Sequence, residues 1–233
     1  MWTGFDQYAS LYDEWFLNNT NVLLSELRLV ARTLKDGGRI LSVGCGSGLF
    51  EKLLRDEYDI TVAEGIEPSA EMAAIATKRG LNVTVVSAED ADYGKDRFDT
   101  IIFNGSPGYI DDLPAVLRKV YDALPSGGRV VLIDVPKESS YGILYNLAMT
   151  LGTWEHPLLE GCYPRDPYPI ELVRMAHWRT TASKVEMLHE AGFTNLEFAQ
   201  TLTTHPLTSD DVAEEPISGS DKGDYVAITA YKP

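Results

Sequence analysis

The chain has 233 residues, 44% of them hydrophobic and 24% charged, proportions ordinary for one soluble globular domain or at most two small ones. Twenty Lys and Arg against 35 Asp and Glu leave a formal net charge of −15, a field that repels nucleic-acid phosphates and anionic lipid, so neither nucleic acid nor membrane is expected as a partner. Two cysteines, Cys45 and Cys162, are too few for a disulfide framework, a Cys-rich zinc site or an iron–sulfur cluster; no metal is expected, and without an apolar span or a basic leader the protein reads as soluble and cytoplasmic.

In chain order, residues 5–16 first place Phe5, Tyr8, Ala9, Tyr12, Trp15 and Phe16 at helical spacing, an aromatic stripe along one helix. Residues 39–43 (RILSV) read as a buried strand, and 49–55 as a helix with Leu53 and Leu54 turned inward. A strand over 60–66, a helix over 69–79 closed by Gly80 and a strand over 83–86 follow. Next come a strand over 100–103, a helix over 112–124 ending before Pro125, and a strand over 129–135 after the Gly127-Gly128 turn. Residues 136–178 break this rhythm and gather Trp154, His156, Tyr163, Tyr168, His177 and Trp178. The pattern resumes with a helix over 181–191 ended by Gly192 and strands over 195–203 and 224–231. Between those strands the polar, acidic stretch 208–222 reads as a mobile connection or surface flap. Apolar strands without in–out alternation, spaced by helices, make a parallel sheet covered on both faces, a doubly wound α/β fold.

The segment ILSVGCGSGLF, residues 40–50, runs a strand into a glycine-rich turn and then a helix. Glycines serve there where the backbone needs positive φ and where a ligand lies against it with no Cβ between. The turn ends the first strand of the sheet, and Glu67, in Gly65-Ile-Glu67-Pro68-Ser, ends the second. A carboxylate at that position accepts both hydroxyls of a ribose lying across the strand ends; alternatively Glu67 only precedes Pro68 and places negative charge at the next helix N-terminus. Leu49-Phe50 follow the last glycine where a phosphate-gripping loop needs Lys-Ser/Thr, which argues against nucleotide hydrolysis. The third glycine also comes one position too early for a nicotinamide fingerprint, and little chain is left for a second mononucleotide half. These residues point to an adenosine without a pyrophosphate.

The residues resemble class I S-adenosylmethionine-dependent methyltransferases over nearly the whole chain. Residues 40–48 resemble the family's first motif, which implies that Gly44, Cys45, Gly46 and Gly48 lie against the methionine and ribose of the cofactor. Residues 65–69 resemble the acidic second motif, with Glu67 and Pro68 at the ribose. Ser87-Ala88-Glu89-Asp90 resembles the segment that meets the adenine, through the Ala88 backbone and the Glu89 carboxylate. Residues 98–104 (FDTIIFN) resemble the fourth strand, whose end, at Asn104, faces the sulfonium, and 124–134 (LPSGGRVVLID) resemble the Gly-Gly turn and fifth strand. The resemblance implies a Rossmann-like, mostly parallel seven-stranded sheet with an antiparallel C-terminal strand. It implies S-adenosyl-L-methionine as cofactor, S-adenosyl-L-homocysteine as product and a small-molecule acceptor. The opening stripe resembles the lid helix of a subset of these enzymes, which implies that Tyr8, Tyr12 and Trp15 close over the cofactor; as residues alone they could equally be core.

Candidates on the acceptor side follow the fourth and fifth strands. The loop Asn104-Gly-Ser-Pro107-Gly-Tyr109 partly resembles the Asn-Pro-Pro-aromatic loop of amino-group methyltransferases, with two inserted residues and one proline lost. His156 and His177 are candidate bases, since imidazole titrates near neutrality. Tyr109, Trp154 and Trp178 are candidate substrate residues, and Trp154, Tyr163 and Trp178 could wall an apolar or cation-attracting pocket or pack as a core of the inserted segment. The division expected is a single domain: a lid helix over 1–18, a cofactor-binding core over 19–136, a substrate-side insertion over 137–180, and a C-terminal helix and strand pair over 181–233. A cofactor-binding module without turnover, a protein methyltransferase steered to basic substrates by the acidic surface, and a nicotinamide oxidoreductase remain alternatives.

Overall fold

Short apolar runs rich in β-branched residues form the strands of a computed structural model that describes residues 9–233; Tyr8 and the start of the aromatic stripe lie outside the described residues. The strands are β1 (Ile40–Val43), β2 (Glu64–Ile66), β3 (Asn82–Thr84), β4 (Thr100–Asn104), β5 (Arg129–Asp134), β6 (Thr194–Thr201), β7 (Ile217–Ser218) and β8 (Tyr225–Tyr231). They form one sheet in the order β3-β2-β1-β4-β5-β8-β6-β7. The first five are parallel, and β8 inserts antiparallel between β5 and β6. The seven expected strands are present, with the two-residue β7 added on the outer edge of β6. Strand β2 is shorter than expected because its ladder with β1 begins only where Glu64 faces Leu41.

Helices cover both faces: α1 (Ala9–Asn18), α2 (Thr20–Leu34), α3 (Leu49–Tyr58), α4 (Ala70–Lys78), α5 (Leu113–Ala123), α6 (Ser140–Leu151), α7 (Ile170–Met175) and α8 (Thr181–Ala191). Successive strand residues serve opposite cores, as the pleat requires. Ile101, Phe103, Val130 and Leu132 pack under α5 and α8, while Ile102, Val131 and Ile133 pack under α2 and α3. None of the helices among the described residues is long and apolar enough to cross a membrane.

Helix α2 is an element that the rhythm from residue 39 onward does not announce. Val22, Leu23, Leu27, Val30, Ala31 and Leu34 fall on its buried face. Its N-terminus is capped from a distance: the Asp210 carboxylate accepts the N–H groups of Asn21 at 2.8 Å and Val22 at 3.0 Å. This corrects the expected flap over 208–222. Arg28 donates to the carbonyl of Ala213 and Arg32 to that of Pro216, while the Glu214 N–H donates to Ser25 Oγ at 2.8 Å. The Glu214 carboxylate accepts from Thr203 and Thr204, so the acidic stretch is stitched down on both sides.

The 136–178 segment contributes α6, α7 and a small core of its own, with Tyr141, Tyr145, Ala148, Trp154, Leu159 and Val173 buried together. It stands over the carboxyl ends of β4 and β5, beside α1. The Asp166 carboxylate accepts from Asn19 Nδ2 at 2.8 Å and its carbonyl from Trp15 Nε1 at 3.0 Å, joining the segment to α1.

Candidate functional site

A cavity of about 360 Å³ opens at the carboxyl ends of β1, β2, β4 and β5, under α1 and the 136–178 segment. That is the edge where open parallel sheets bind ligands, and the volume is that of a small-molecule site. Its floor is the glycine turn. Gly44 holds φ +70° and sits so close to Ser106 that a Cβ would lie 2.5 Å from the Ser106 Cβ. Gly46 holds φ +54°, and a Cβ there would meet no atom within 4 Å among the described residues beyond its chain neighbours, leaving bare backbone toward the cavity.

Glu67 is buried on the wall beside this turn. Its carboxylate accepts the Gly46 N–H and the Ser69 N–H, each at 2.9 Å, and Ser69 in turn caps α4 by accepting the Met72 N–H. Glu67 thus ties the glycine turn to the start of α4 while lining the cavity. Asp13 of α1 reaches the same turn, accepting from Ser47 Oγ and from the Arg79 guanidinium, which also donates to the Ser47 carbonyl at 2.8 Å.

Of the residues expected at the cofactor, Gly44, Gly46, Glu67, Pro68, Ala88, Glu89 and Asn104 line the cavity, as do Tyr12 and Trp15. Glu89 is held in place by accepting the Asp111 N–H at 3.0 Å, and Asn104 Oδ1 accepts the Tyr225 hydroxyl at 2.9 Å. Cys45 and Gly48 stand off the cavity, a correction with a packing cause. The Cys45 sulfur fills the space where a Gly65 Cβ would lie 2.6 Å away, and Gly48 lies against Ala76 of α4. Burial pushes the Cys45 thiol far up, away from thiolate.

On the acceptor side Tyr109, Trp178 and His177 line the cavity. His177 stands at the rim, half-exposed, with Nε2 2.8 Å from Asp111 Oδ1. His156 is elsewhere: its Nδ1 accepts the Leu158 N–H at 3.2 Å as the cap of a short 3-10 turn, so it is no base for this cavity. Trp154 also stands behind the wall rather than in it, donating to the Tyr168 carbonyl at 3.0 Å and supporting the Tyr145 ring with centroids 5.5 Å apart.

Several wall residues carried no mark in the sequence. Asp134 ends β5 and pairs with Lys184 of α8, itself 1% exposed; burial raises the Asp134 carboxyl and the Lys184 charge opposes that rise. The position rule that singles out Asn104 at the end of β4 applies equally to Asp134 at the end of β5. Tyr145, Tyr168 and Tyr225 extend the aromatic wall, with Trp15 and Tyr168 edge to face at 5.2 Å and Tyr145 and Trp178 tilted against each other at 5.4 Å. Burial pushes all three phenols well above their usual range and lifts Tyr109 to about 12. Glu26 of α2 lines the same cavity at 7% exposure, and no hydrogen bond or ion pair holds its carboxylate among the described residues; desolvation pushes it up to about 8. Nothing in the sequence distinguishes Glu26 from an ordinary helix-surface acid.

A family model described as a methyltransferase domain matches residues 16–197. An uncharacterized protein of Methanocaldococcus jannaschii is 28% identical over 228 residues, covering 98% of each chain. A solved structure from Thermotoga maritima, described as a SAM-dependent methyltransferase and possible histamine N-methyltransferase, superposes with a TM-score of 0.82 at 26% identity, covering 98% of each chain. Phosphoethanolamine N-methyltransferase 3 of Arabidopsis thaliana is 28% identical over 138 residues, which span 57% of this chain and 28% of that protein.

Proposed function

This chain belongs to the methyltransferase-domain family and is an S-adenosylmethionine-dependent methyltransferase, and from that premise we propose that its acceptor is a small molecule enclosed with the cofactor in the cavity under α1. The observation that carries the proposal is the roof. A site closed over by α1 and the 136–178 segment, with Asp166 bonded to both Trp15 and Asn19, suits a small acceptor better than a folded polypeptide. The phosphate of a phosphoethanolamine acceptor would need cationic partners, and no Lys or Arg stands among the described lining residues. That relative's substrate is therefore a poor guide for this chain.

The residues present fit the cofactor on their own chemistry. Gly46 offers bare backbone, Glu67 offers a buried carboxylate at the end of β2, and Ala88 and Glu89 line the cavity just past β3. In this proposal Gly44, Gly46 and Asn104 border the sulfonium end, Glu67 takes the ribose, and Ala88 and Glu89 address the base. Bound there, S-adenosylmethionine would supply a methyl group from a positively charged sulfur that is a good leaving group. The chain's part is to align the acceptor and exclude water, which provides much of the catalysis when the leaving group is already good. Tyr12 and Trp15 on α1 do the excluding, and Tyr109, Trp178 and His177 bound the acceptor end.

Calorimetry with S-adenosylhomocysteine tests the assignment. Glu67→Ala is expected to weaken binding by about 1.5–3 kcal/mol, the loss of charge-assisted hydrogen bonds, roughly ten- to a hundred-fold in Kd. Unchanged affinity in a variant that still melts cooperatively would remove Glu67 from the site.

A further inference from the structure

The charged side chains on the cavity wall are of one sign. Glu26, Glu67, Glu89 and Asp134 line it, with His177 at the rim and no Lys or Arg among the described lining residues. Three of the four carboxylates are already engaged. Glu67 accepts two backbone N–H groups, Glu89 accepts the Asp111 N–H, and Asp134 pairs with Lys184. Glu26 has no hydrogen bond or ion pair among the described residues, although it is more than nine-tenths buried and faces the cavity. Its oxygens are not sealed within protein but open toward the cavity, where a group of opposite charge could reach them.

The surroundings of Glu26 are aromatic. Its charge bears on the phenols of Tyr12 on α1, Tyr141 and Tyr145 on α6, and Tyr225 on β8, all of which it raises. The rings of Trp15, Tyr168, Tyr145 and Trp178 continue the wall, each touching the next through centroid separations of 5.2 to 6.4 Å. A lone carboxylate set among aromatic rings is the environment that attracts an organic cation, through one ion pair and the negative ring faces. It repels an anion twice over, by charge and by the lack of a Lys or Arg among the described lining residues.

Resting on the methyltransferase reading, we propose that the acceptor enters this cavity as a small ammonium compound, with Glu26 as its counter-ion and the rings of Tyr12, Trp15, Tyr145, Tyr168, Trp178 and Tyr225 as its apolar surround. The pairing also provides for the proton. An ammonium nitrogen has no lone pair until it gives one proton up; transfer to Glu26 leaves a neutral amine and a neutral carboxylic acid, with no charge created in the cavity. The raised affinity of Glu26 for a proton matches that role.

Calorimetry on the full chain separates this from the alternatives. The probes are 2-phenylethylammonium, its uncharged isostere 2-phenylethanol and the anion 3-phenylpropanoate, each titrated with and without saturating S-adenosylhomocysteine. A pH of about 8.5 keeps an alkyl ammonium charged. The expected result is binding of the ammonium at least about ten-fold tighter than of the alcohol, the size of one modest ion pair, with no binding of the carboxylate. Glu26→Gln is expected to remove that preference while leaving alcohol and S-adenosylhomocysteine affinities unchanged, and Glu26→Asp to restore part of it. Equal affinity for ammonium and alcohol, no ammonium binding, preference for the carboxylate, or a preference that survives Glu26→Gln each overturns the inference. The wild-type comparison decides even if Glu26→Gln does not fold. Loss of S-adenosylhomocysteine binding in the wild type would instead overturn the cofactor reading, and leaves the cation comparison readable in the protein alone.

Discussion

Glu26 and the Asp134–Lys184 pair show how differently buried charge is handled within one cavity wall. The Glu26 carboxyl holds its proton up to about pH 8 in the fold, against an ordinary value of 4.5. Between those two values the folded chain binds more protons than the unfolded one, so this residue contributes stability that is fully present below about pH 4.5 and is lost as pH rises toward 8. The slope for a single group is about 1.4 kcal/mol per pH unit. Glu26→Gln is therefore expected to gain stability over the wild type as pH is raised through that window, and denaturant melts at several pH values measure it; a constant difference between the two proteins removes the shift. Lys184 poses the opposite case. It is 1% exposed and its ammonium answers the Asp134 carboxylate. Lys184→Met leaves that carboxylate buried without a cation and is expected to cost about 3–5 kcal/mol, whereas removing both charges recovers most of the loss. Urea melts of the single and double variants check this, and equal stabilities of wild type and single variant would show the pair to be dispensable.

The elements differ in what fastens them. Helix α1 carries Tyr12 and Trp15 over the cavity and is held at one point on the glycine turn, where Asp13 meets Arg79 and Ser47, and at another on Asp166. Asp13→Ala cuts the first fastening. Hydrogen exchange over residues 9–18 is expected to speed up in that variant while β1, β4 and β5 keep their protection; unchanged exchange in α1 would place its anchorage in the Phe16 packing instead. Helix α2 depends on a segment almost two hundred residues away, since Asp210 caps it and Glu214 contacts Ser25. That dependence explains the error over 208–222. Polar, acidic composition signals a solvated loop when read locally, but these carboxylates are spent on backbone N–H groups and hydroxyls brought near only by the fold.

At the scale of the whole molecule, the parallel sheet was legible because its central strands β1, β4 and β5 are buried on both faces and read as unbroken apolar runs, β1 and β4 closed by glycines. The glycine turn and Glu67 were legible for a related reason: backbone conformation and strand-end position constrain residue type directly, and Gly44, Gly46 and Glu67 line the cavity. The acceptor end was legible only in part: Tyr109, His177 and Trp178 line the cavity, but Glu26 of α2, Tyr145 and Tyr168 of the 136–178 segment and Tyr225 of β8 lie far apart in the chain, and no spacing rule connects them before folding. His156 and Trp154 misled because a lone histidine and a lone tryptophan are as useful to a turn or a small core as to a site. The net charge of −15 acts at this scale too. Self-repulsion among surface carboxylates is screened by salt, so thermal melts are expected to move upward between low ionic strength and about 0.15 M sodium chloride. A melting temperature indifferent to salt would mean that the acidic residues are locally compensated.

Two of the cavity-lining rings are indoles, Trp15 on the roof and Trp178 on the far wall. Their environment changes polarity whenever something displaces water between them, so the molecule carries its own optical gauge of occupancy. Emission recorded at the red edge of excitation during a titration would report filling of the chamber without any label, and replacing Trp154 by Phe would strip away the signal of an indole that does not line it.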